Sequence, residues 1–222
     1  MRLLVTFSVS CLLVVACSGD GRDDFSVAVT TSTSTTSAAA ESTTTVAAVA
    51  DGRPRANEDH FHSTYLIYVC GEKVRPFPED SRDDITGIHT HGEGLIHIHP
   101  FQERVAGKNA TLGVFFTESL GHLSDDLIAV PSGEFEEGID SCGGEPADIR
   151  VLKWDTVDDV SPTVYTEELA GIRFDQPHQQ EGQLFTIAFV ASSTSDRSIP
   201  RPDDTLLREY LGLPPVEVAL GR

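Results

Sequence analysis

Histidine is the residue whose spacing stands out in this chain of 222 residues. The chain has eight histidines, and a random scatter of that many would give about 0.3 H-x-H pairs. It contains three: His60/His62, His89/His91 and His97/His99. Because neutral imidazole nitrogen binds zinc, copper, nickel and iron, this pattern predicts a transition-metal site, with zinc or copper as the first candidates.

The two later pairs flank the segment Gly92-Glu93-Gly94, and the alternating residues of 88–101 predict a β-hairpin. Residues i and i+2 of a strand project from the same face. A three-residue loop that ends in a left-handed glycine places His89 opposite His97 and all four imidazoles on one face. A two-residue turn places the pairs on opposite faces. The sequence favours the odd loop, and the alternative remains open.

Two interpretations of these histidines follow. In the first, four hairpin residues bind the metal: His89, His91, His97 and His99. Glu93 then adds an oxygen ligand or orients an imidazole, and His60 and His62 join if the first strand neighbours the hairpin. Metal affinity should fall as the imidazoles protonate near a pKa of about 6.5. In the second, the histidines are structural, satisfied by hydrogen bonds to one another and to carboxylates. His122 and His178 are isolated and are given no role.

Enzymatic activity has little support in the sequence. The chain has no G-x-S-x-G, no H-E-x-x-H and no Gly-rich phosphate loop. Cupins also carry H-x-H on a strand, but here a single residue separates His91 from Glu93, and no second cupin motif follows. We therefore assign no catalytic residue, and the sequence leans against an enzyme.

The predicted strands and helices that must position the histidines indicate an α+β domain. Strands are expected at 61–70, 127–130, 148–154 and 183–191. Between them, Leu112, Phe115, Phe116 and Leu120 have helical spacing, with Gly121 placed to end the helix. A short helix over 206–211 follows Asp203 or Asp204 as its N-cap. A mixed, mostly antiparallel sheet covered on one face by a central helix is expected, and the order hairpin, helix, strands resembles a β-grasp domain.

The N-terminus predicts export. Residues 1–16 contain one basic residue followed by an apolar run that is too short to span a bilayer, which is typical of a signal peptide. The run ends in Val-Val-Ala-Cys, which resembles the bacterial lipobox and implies lipidation at Cys17; a plain secretory signal is the alternative. Residues 30–50 contain 18 Ser, Thr or Ala out of 21, so 17–57 is expected to be a disordered tether. The domain is expected over 58–222, anchored to the outer face of a membrane.

Two cysteines remain for the domain, Cys70 and Cys142. In an oxidising compartment, two cysteines predict one disulfide. The alternative, a redox pair or a metal–thiolate site, lacks a C-x-x-C spacing.

The net charge of the chain limits the classes of partner that it is expected to bind. The chain has a net charge of −19, and residues 58–222 carry −18 of it. A surface this acidic repels phosphate backbones, which argues against nucleic-acid binding. It attracts cations to the neighbourhood of the histidine hairpin. The sequence does not identify a protein partner. The lipid anchor is expected to contact the membrane.

The chain contains the segments YLIYVCGE, GIHTHGEGLIHIHPF and AGKNATLGVFF, followed by a CGG and a predicted strand that ends in IAFV. These segments resemble an uncharacterised, mostly actinobacterial family of exported lipoproteins. The resemblance covers about residues 60–200, and the histidine hairpin is its most specific part. It implies one folded unit and an exported location, and it supplies no activity.

Overall fold

The computed structural model describes residues 53–79, 84–174 and 182–215. The predicted signal peptide (1–16), Cys17, most of the predicted tether and His178 lie outside the described residues.

The described residues form eleven strands and two short α-helices. The strands are β1 Phe61–Val69, β2 Glu72–Val74, β3 Ile88–His89, β4 Leu95–Ile98, β5 His122–Leu123, β6 Leu127–Val130, β7 Gly133–Glu136, β8 Ser141–Cys142, β9 Glu145–Trp154, β10 Thr163–Tyr165 and β11 Leu184–Ala191. The helices are α1 Leu112–Glu118 and α2 Thr205–Tyr210. Short 3₁₀ turns lie at Glu103–Val105, Gly107–Asn109, Leu169–Gly171 and Asp196–Ser198. The prediction of an α+β domain is confirmed.

One mixed sheet organises the domain, with strand order β10-β9-β11-β1-β4-β3. β1 and β11 run parallel in its middle, and the other pairs are antiparallel. β2 pairs with the second half of β1, on the same edge where β4 pairs with the first half. A separate antiparallel sheet contains β5, β6 and β7. The order hairpin, helix, later strands that suggested the β-grasp resemblance is present.

Apolar side chains pack on both faces of the main sheet, so the expectation of one covered face was wrong. On β11, Phe185, Ile187 and Phe189 contribute to one core cluster, whereas Leu184 and Val190 contribute to another. Residues 184–190 are all buried. A central strand covered on both sides is a continuous apolar run, which is the composition of LFTIAFVA.

Helix α1 covers the first of these faces, and α2 lies against the second. Thr111 caps α1 by accepting a hydrogen bond from the Val114 amide, and Leu112, Phe115 and Phe116 are buried. The prediction that Leu120 belongs to this apolar face was wrong. The helix has ended before Leu120, whose φ of +62° turns it outward, and the residue is 68% exposed. An αL residue after the last turn is a common helix ending.

Asp204 stands at the N-cap position of α2, but its side chain makes no cap hydrogen bond. The Asp203 carboxylate instead accepts from the Thr205 amide at 2.9 Å. Arg208 is buried and donates to Asp204 and to Asp158. These ion pairs fix the orientation of α2 against the sheet, because a buried guanidinium is costly unless its donors are satisfied.

Cys70 and Cys142 form a disulfide that joins the end of β1 to β8 across 72 residues. At the N-terminus, residues that the sequence assigned to the tether contact the domain. The Pro54 carbonyl accepts from the Gly107 amide, and the Asn57 amide donates to Pro100. Pro54 is buried, so the folded domain begins before the predicted boundary at Glu58. Within the described ranges, no helix is both long and apolar enough to cross a membrane.

Candidate metal centre

The strand register brings all three histidine pairs to one face of the sheet. His89 lies opposite His97 in the β3–β4 pair, which confirms the odd parity of the loop. The loop is longer than the expected three residues, because β3 ends at His89 and β4 begins at Leu95. His97 also lies opposite His62 in the β1–β4 pair. His60, His91 and His99 lie just outside the strands, and the contacts of their rings with those of His62, His97 and His89 place them on the same side as this row. We call the six residues the histidine cluster: His60, His62, His89, His91, His97 and His99.

His97 lies at the centre of the histidine cluster. It is 7% exposed. The centroid of its ring lies 4.8 Å from that of His62, 5.4 Å from that of His89 and 4.6 Å from that of His91. His99 extends the cluster, with its ring 4.8 Å from His60 and 5.0 Å from His89. Imidazoles at these separations can offer several nitrogens to one small volume.

Three overlapping groups place their ligand atoms within 4.8 Å of one another and could hold a metal ion. They are His60/His62/His97, His89/His91/His97 and Asp84/His89/His99. The first and second groups share His97, and the second and third share His89. The structure thus has histidine groups that could hold a metal ion.

The central group contains two nitrogens in close contact. The Nε2 atoms of His89 and His91 lie 3.2 Å apart. Two nitrogens bound tetrahedrally to zinc at 2.0–2.1 Å would be separated by about 3.3 Å. The pair is therefore spaced as two ligands of one ion, and without an ion one imidazole must donate a hydrogen bond to the other.

Three carboxylates contact the histidines of the central group. Asp84 Oδ2 lies 2.6 Å from Nδ1 of His89, and Glu79 Oε1 lies 3.4 Å from Nδ1 of His91. Glu93 Oε1 lies 3.0 Å from Nε2 of His97. A carboxylate that accepts one ring N–H fixes the tautomer and leaves the lone pair on the other nitrogen. Glu79 can accept from Nδ1 of His91 and so leave the Nε2 lone pair of His91 toward His89, whereas the 2.6 Å approach of Asp84 Oδ2 to Nδ1 of His89 lacks hydrogen-bond geometry.

Burial keeps most of these imidazoles neutral. The pKa of His62 is lowered to about 4, mainly by desolvation and in addition by the neighbouring histidines. Desolvation is also the main cause that lowers the pKa of His60, His89, His97 and His99. Neutral imidazole is the metal-binding form. From the sequence, protons were expected to compete with the metal for the imidazole nitrogens near pH 6.5. The lowered pKa values move this competition to a lower pH.

The loop between β3 and β4 depends on glycine. Gly92 and Gly94 have φ of +92° and +87°, which favour glycine over any residue with a Cβ. The hydroxyl of Thr64 on β1 donates to the Gly94 carbonyl at 3.0 Å. This contact and the β1–β4 ladder hold the hairpin against the strand that carries His62.

Sequence reasoning missed three residues around the cluster. Asp84 and Glu79 lie in the acidic segment EDSRDD, which has no H-x-H motif of its own, although Asp84 stands five positions before His89. Tyr210, at the end of α2, has its ring centroid 4.3 Å from that of His62 and 6.0 Å from that of His97. No local pattern links Tyr210 to the histidines, because α2 meets them only through the tertiary fold.

His122 lies on β5, in the other sheet, and belongs to none of the groups found among the described residues. It is exposed.

Comparison of the chain with protein-family models, with curated proteins and with solved structures found no match.

Proposed function

We propose that the protein is a membrane-anchored, extracytoplasmic lipoprotein that binds a transition-metal ion through the histidine cluster. Zinc and copper are the first candidates, and both accept several imidazole nitrogens. The observation that carries the proposal is the 3.2 Å approach of the Nε2 atoms of His89 and His91, next to buried His97.

The surroundings of the central group favour a cation. Asp84, Glu79 and Glu93 each contact one of its histidines, so that a divalent ion would be placed among three carboxylates. The folded domain adds a long-range attraction, since residues 58–222 have a net charge of −18. His60 and His91 are exposed. An ion bound there would remain accessible to solvent, which suits a protein that holds or senses an exchangeable metal.

A second candidate function is an envelope interaction module with structural histidines. Two carboxylate contacts favour it, because Glu79 and Glu93 lie within hydrogen-bond distance of one nitrogen each of His91 and His97 without any ion. In that case the cluster stabilises the hairpin, and the acidic surface contacts a partner.

Thermal unfolding of the full chain, purified without a histidine tag, separates the two functions. The variants are the triple substitution His89→Ala, His91→Ala, His97→Ala and the matched control His122→Ala. Metal binding predicts that zinc or copper raises the Tm of the wild type and of His122→Ala, since a ligand that binds only the folded state stabilises it by mass action. The triple variant should show no shift. Absence of a shift in the wild type would reject metal binding and favour the structural module.

The anchoring part of the proposal rests on the sequence of residues 1–17. Incorporation of labelled palmitate into the expressed chain tests it, with Cys17→Ser as the control. Label in the wild type that is lost in Cys17→Ser is expected. Equal label in both would contradict lipidation at Cys17.

A further inference from the structure

We infer that the histidine cluster can hold two metal ions at once, one bound by His60, His62 and His97 and the other by Asp84, His89 and His99. This inference rests on the proposed function, namely that the cluster binds a transition metal. It adds the stoichiometry of the site and the role of each ligand.

The two outer groups can fill together because they have no residue in common. The central group takes His97 from one of them and His89 from the other. An ion in the central group therefore competes with both outer ions. The cluster can hold one central ion or two outer ions, and excess metal favours the state with two.

The first outer group is built on β1 and β4. The ring centroids of His60 and His62 are 4.8 Å apart, and the ring of His62 meets that of His97 edge-on, also at 4.8 Å. The ring of Tyr210 covers His62 from α2. This group thus takes His62 from β1, His60 from the position just before β1, and His97 from β4.

The second outer group already contains a close ligand pair. Asp84 Oδ2 lies 2.6 Å from Nδ1 of His89, and the ring of His99 lies 5.0 Å from that of His89. The two nitrogens of His89 face different groups: Nδ1 faces Asp84, and Nε2 faces His91. Which nitrogen donates its lone pair decides whether His89 serves the outer or the central group.

Charge permits a second cation. Two divalent ions repel each other, but Glu79, Asp84 and Glu93 contact cluster histidines and supply three negative charges. Opposite charges within a few ångströms offset part of the repulsion. The acidic surface of the domain adds to this effect.

Substitution of His91 can distinguish two ions in the outer groups from one ion in the central group. His91 belongs to the central group alone. Its loss should weaken binding of the first ion and leave the two-ion state intact, whereas loss of His60 and His62 should remove one of the two ions.

The test measures zinc bound per chain by equilibrium dialysis of the tag-free full chain against increasing zinc chloride, with elemental analysis. The wild type and His122→Ala should reach a plateau of two ions. His91→Ala should reach the same plateau with at least tenfold weaker binding of the first ion. The double variant His60→Ala, His62→Ala should stop at one ion, and so should Asp84→Asn, His99→Ala.

A wild-type plateau of one ion would overturn the inference and leave the proposed function standing, whereas no bound zinc would overturn both. A plateau of two in His60→Ala, His62→Ala would also overturn it, because the second ion would then lie elsewhere. Copper provides a readout that needs no variant. Electron paramagnetic resonance of the wild type should show spin–spin broadening at two equivalents of Cu(II) that is absent at one equivalent, and isolated spectra at both would contradict two ions in one cluster.

Discussion

The ring of Tyr210 packs against the imidazole of His62, with their centroids 4.3 Å apart and their planes inclined by 36°. Tyr210 ends α2, and His62 lies on β1, so that this contact joins the C-terminal helix to the histidine cluster. The contact covers His62 from solvent, and desolvation is the main cause of its low pKa, about 4.

Removal of this cover should raise the pKa of His62. In Tyr210→Ala the imidazole gains water, and its pKa is expected to move from about 4 toward the ordinary value of 6.5. Tyr210→Phe keeps the ring and should leave the pKa near that of the wild type. NMR titration of the histidine side chains measures both. Equal His62 titration in the two variants would show that Tyr210 does not control its hydration.

Gly87 should be essential to the hairpin although it is no ligand. A Cβ at Gly87 would lie 2.2 Å from the carbonyl oxygen of His99. Gly138 is a matched control, since its φ of +76° is close to the +79° of Gly87 and no atom lies within 4 Å of its added Cβ. Both alanine variants strain the backbone, and only Gly87→Ala forces β3 away from β4.

Denaturant unfolding should place Gly87→Ala about 1–3 kcal/mol below Gly138→Ala in free energy of unfolding. Metal affinity should fall in Gly87→Ala alone. Equal stability of the two variants would mean that the hairpin adjusts around the added methyl group.

The carboxylate of Glu93 should tune the metal affinity through His97. Glu93→Gln removes the charged acceptor 3.0 Å from Nε2 of His97. Loss of such a partner is expected to weaken metal binding by about 10–100-fold. Glu134→Gln makes the same change on the exposed side of β7 and should have no effect. Calorimetric titration with zinc measures the difference, and equal affinities would exclude Glu93 as an orienting group.

The metal-free protein should lose stability as the pH falls below about 6.5. Five cluster histidines have a lower pKa in the folded protein than the value of 6.5 expected when unfolded. Below pH 6.5 the unfolded chain therefore binds more protons, so that the stability present above 6.5 is lost toward the folded pKa, about 4 for His62.

Tm measured between pH 7.5 and 5.5 in the presence of a chelator tests this expectation above the range in which most carboxylates titrate. The wild type should lose Tm across this range, and His62→Gln should lose less. A pH-independent Tm in the wild type would contradict neutral, desolvated histidines.

Much of the histidine hairpin followed from local sequence. Because side chains alternate along a strand, the pairing of His89 and His97 depends on the parity of the loop around Gly92-Glu93-Gly94, and the favoured odd loop places them opposite each other, as observed. The partner strand was beyond local pattern. That β1 pairs with β4 and brings His62 opposite His97 is a property of the sheet order, which depends on contacts distant in sequence.

The errors have the same origin. Leu120 fits the helical spacing, but an αL residue ends α1 before the next turn, and spacing alone does not detect it. The uniform burial of β11 was visible as an apolar run, yet the second covered face comes from distant residues such as Leu207 on α2. Asp84 and Tyr210 contact the histidine cluster because the tertiary fold places them beside it.

Direct coordination by the hairpin histidines is tested most directly by X-ray absorption at the zinc edge on the full chain with one equivalent of zinc. The account predicts a first shell with about three imidazole nitrogens at 2.0–2.1 Å, with the multiple scattering typical of histidine. That shell should be absent from the variant with His89→Ala, His91→Ala and His97→Ala. A first shell of oxygen alone, or the same spectrum from the wild type and the triple variant, would contradict it.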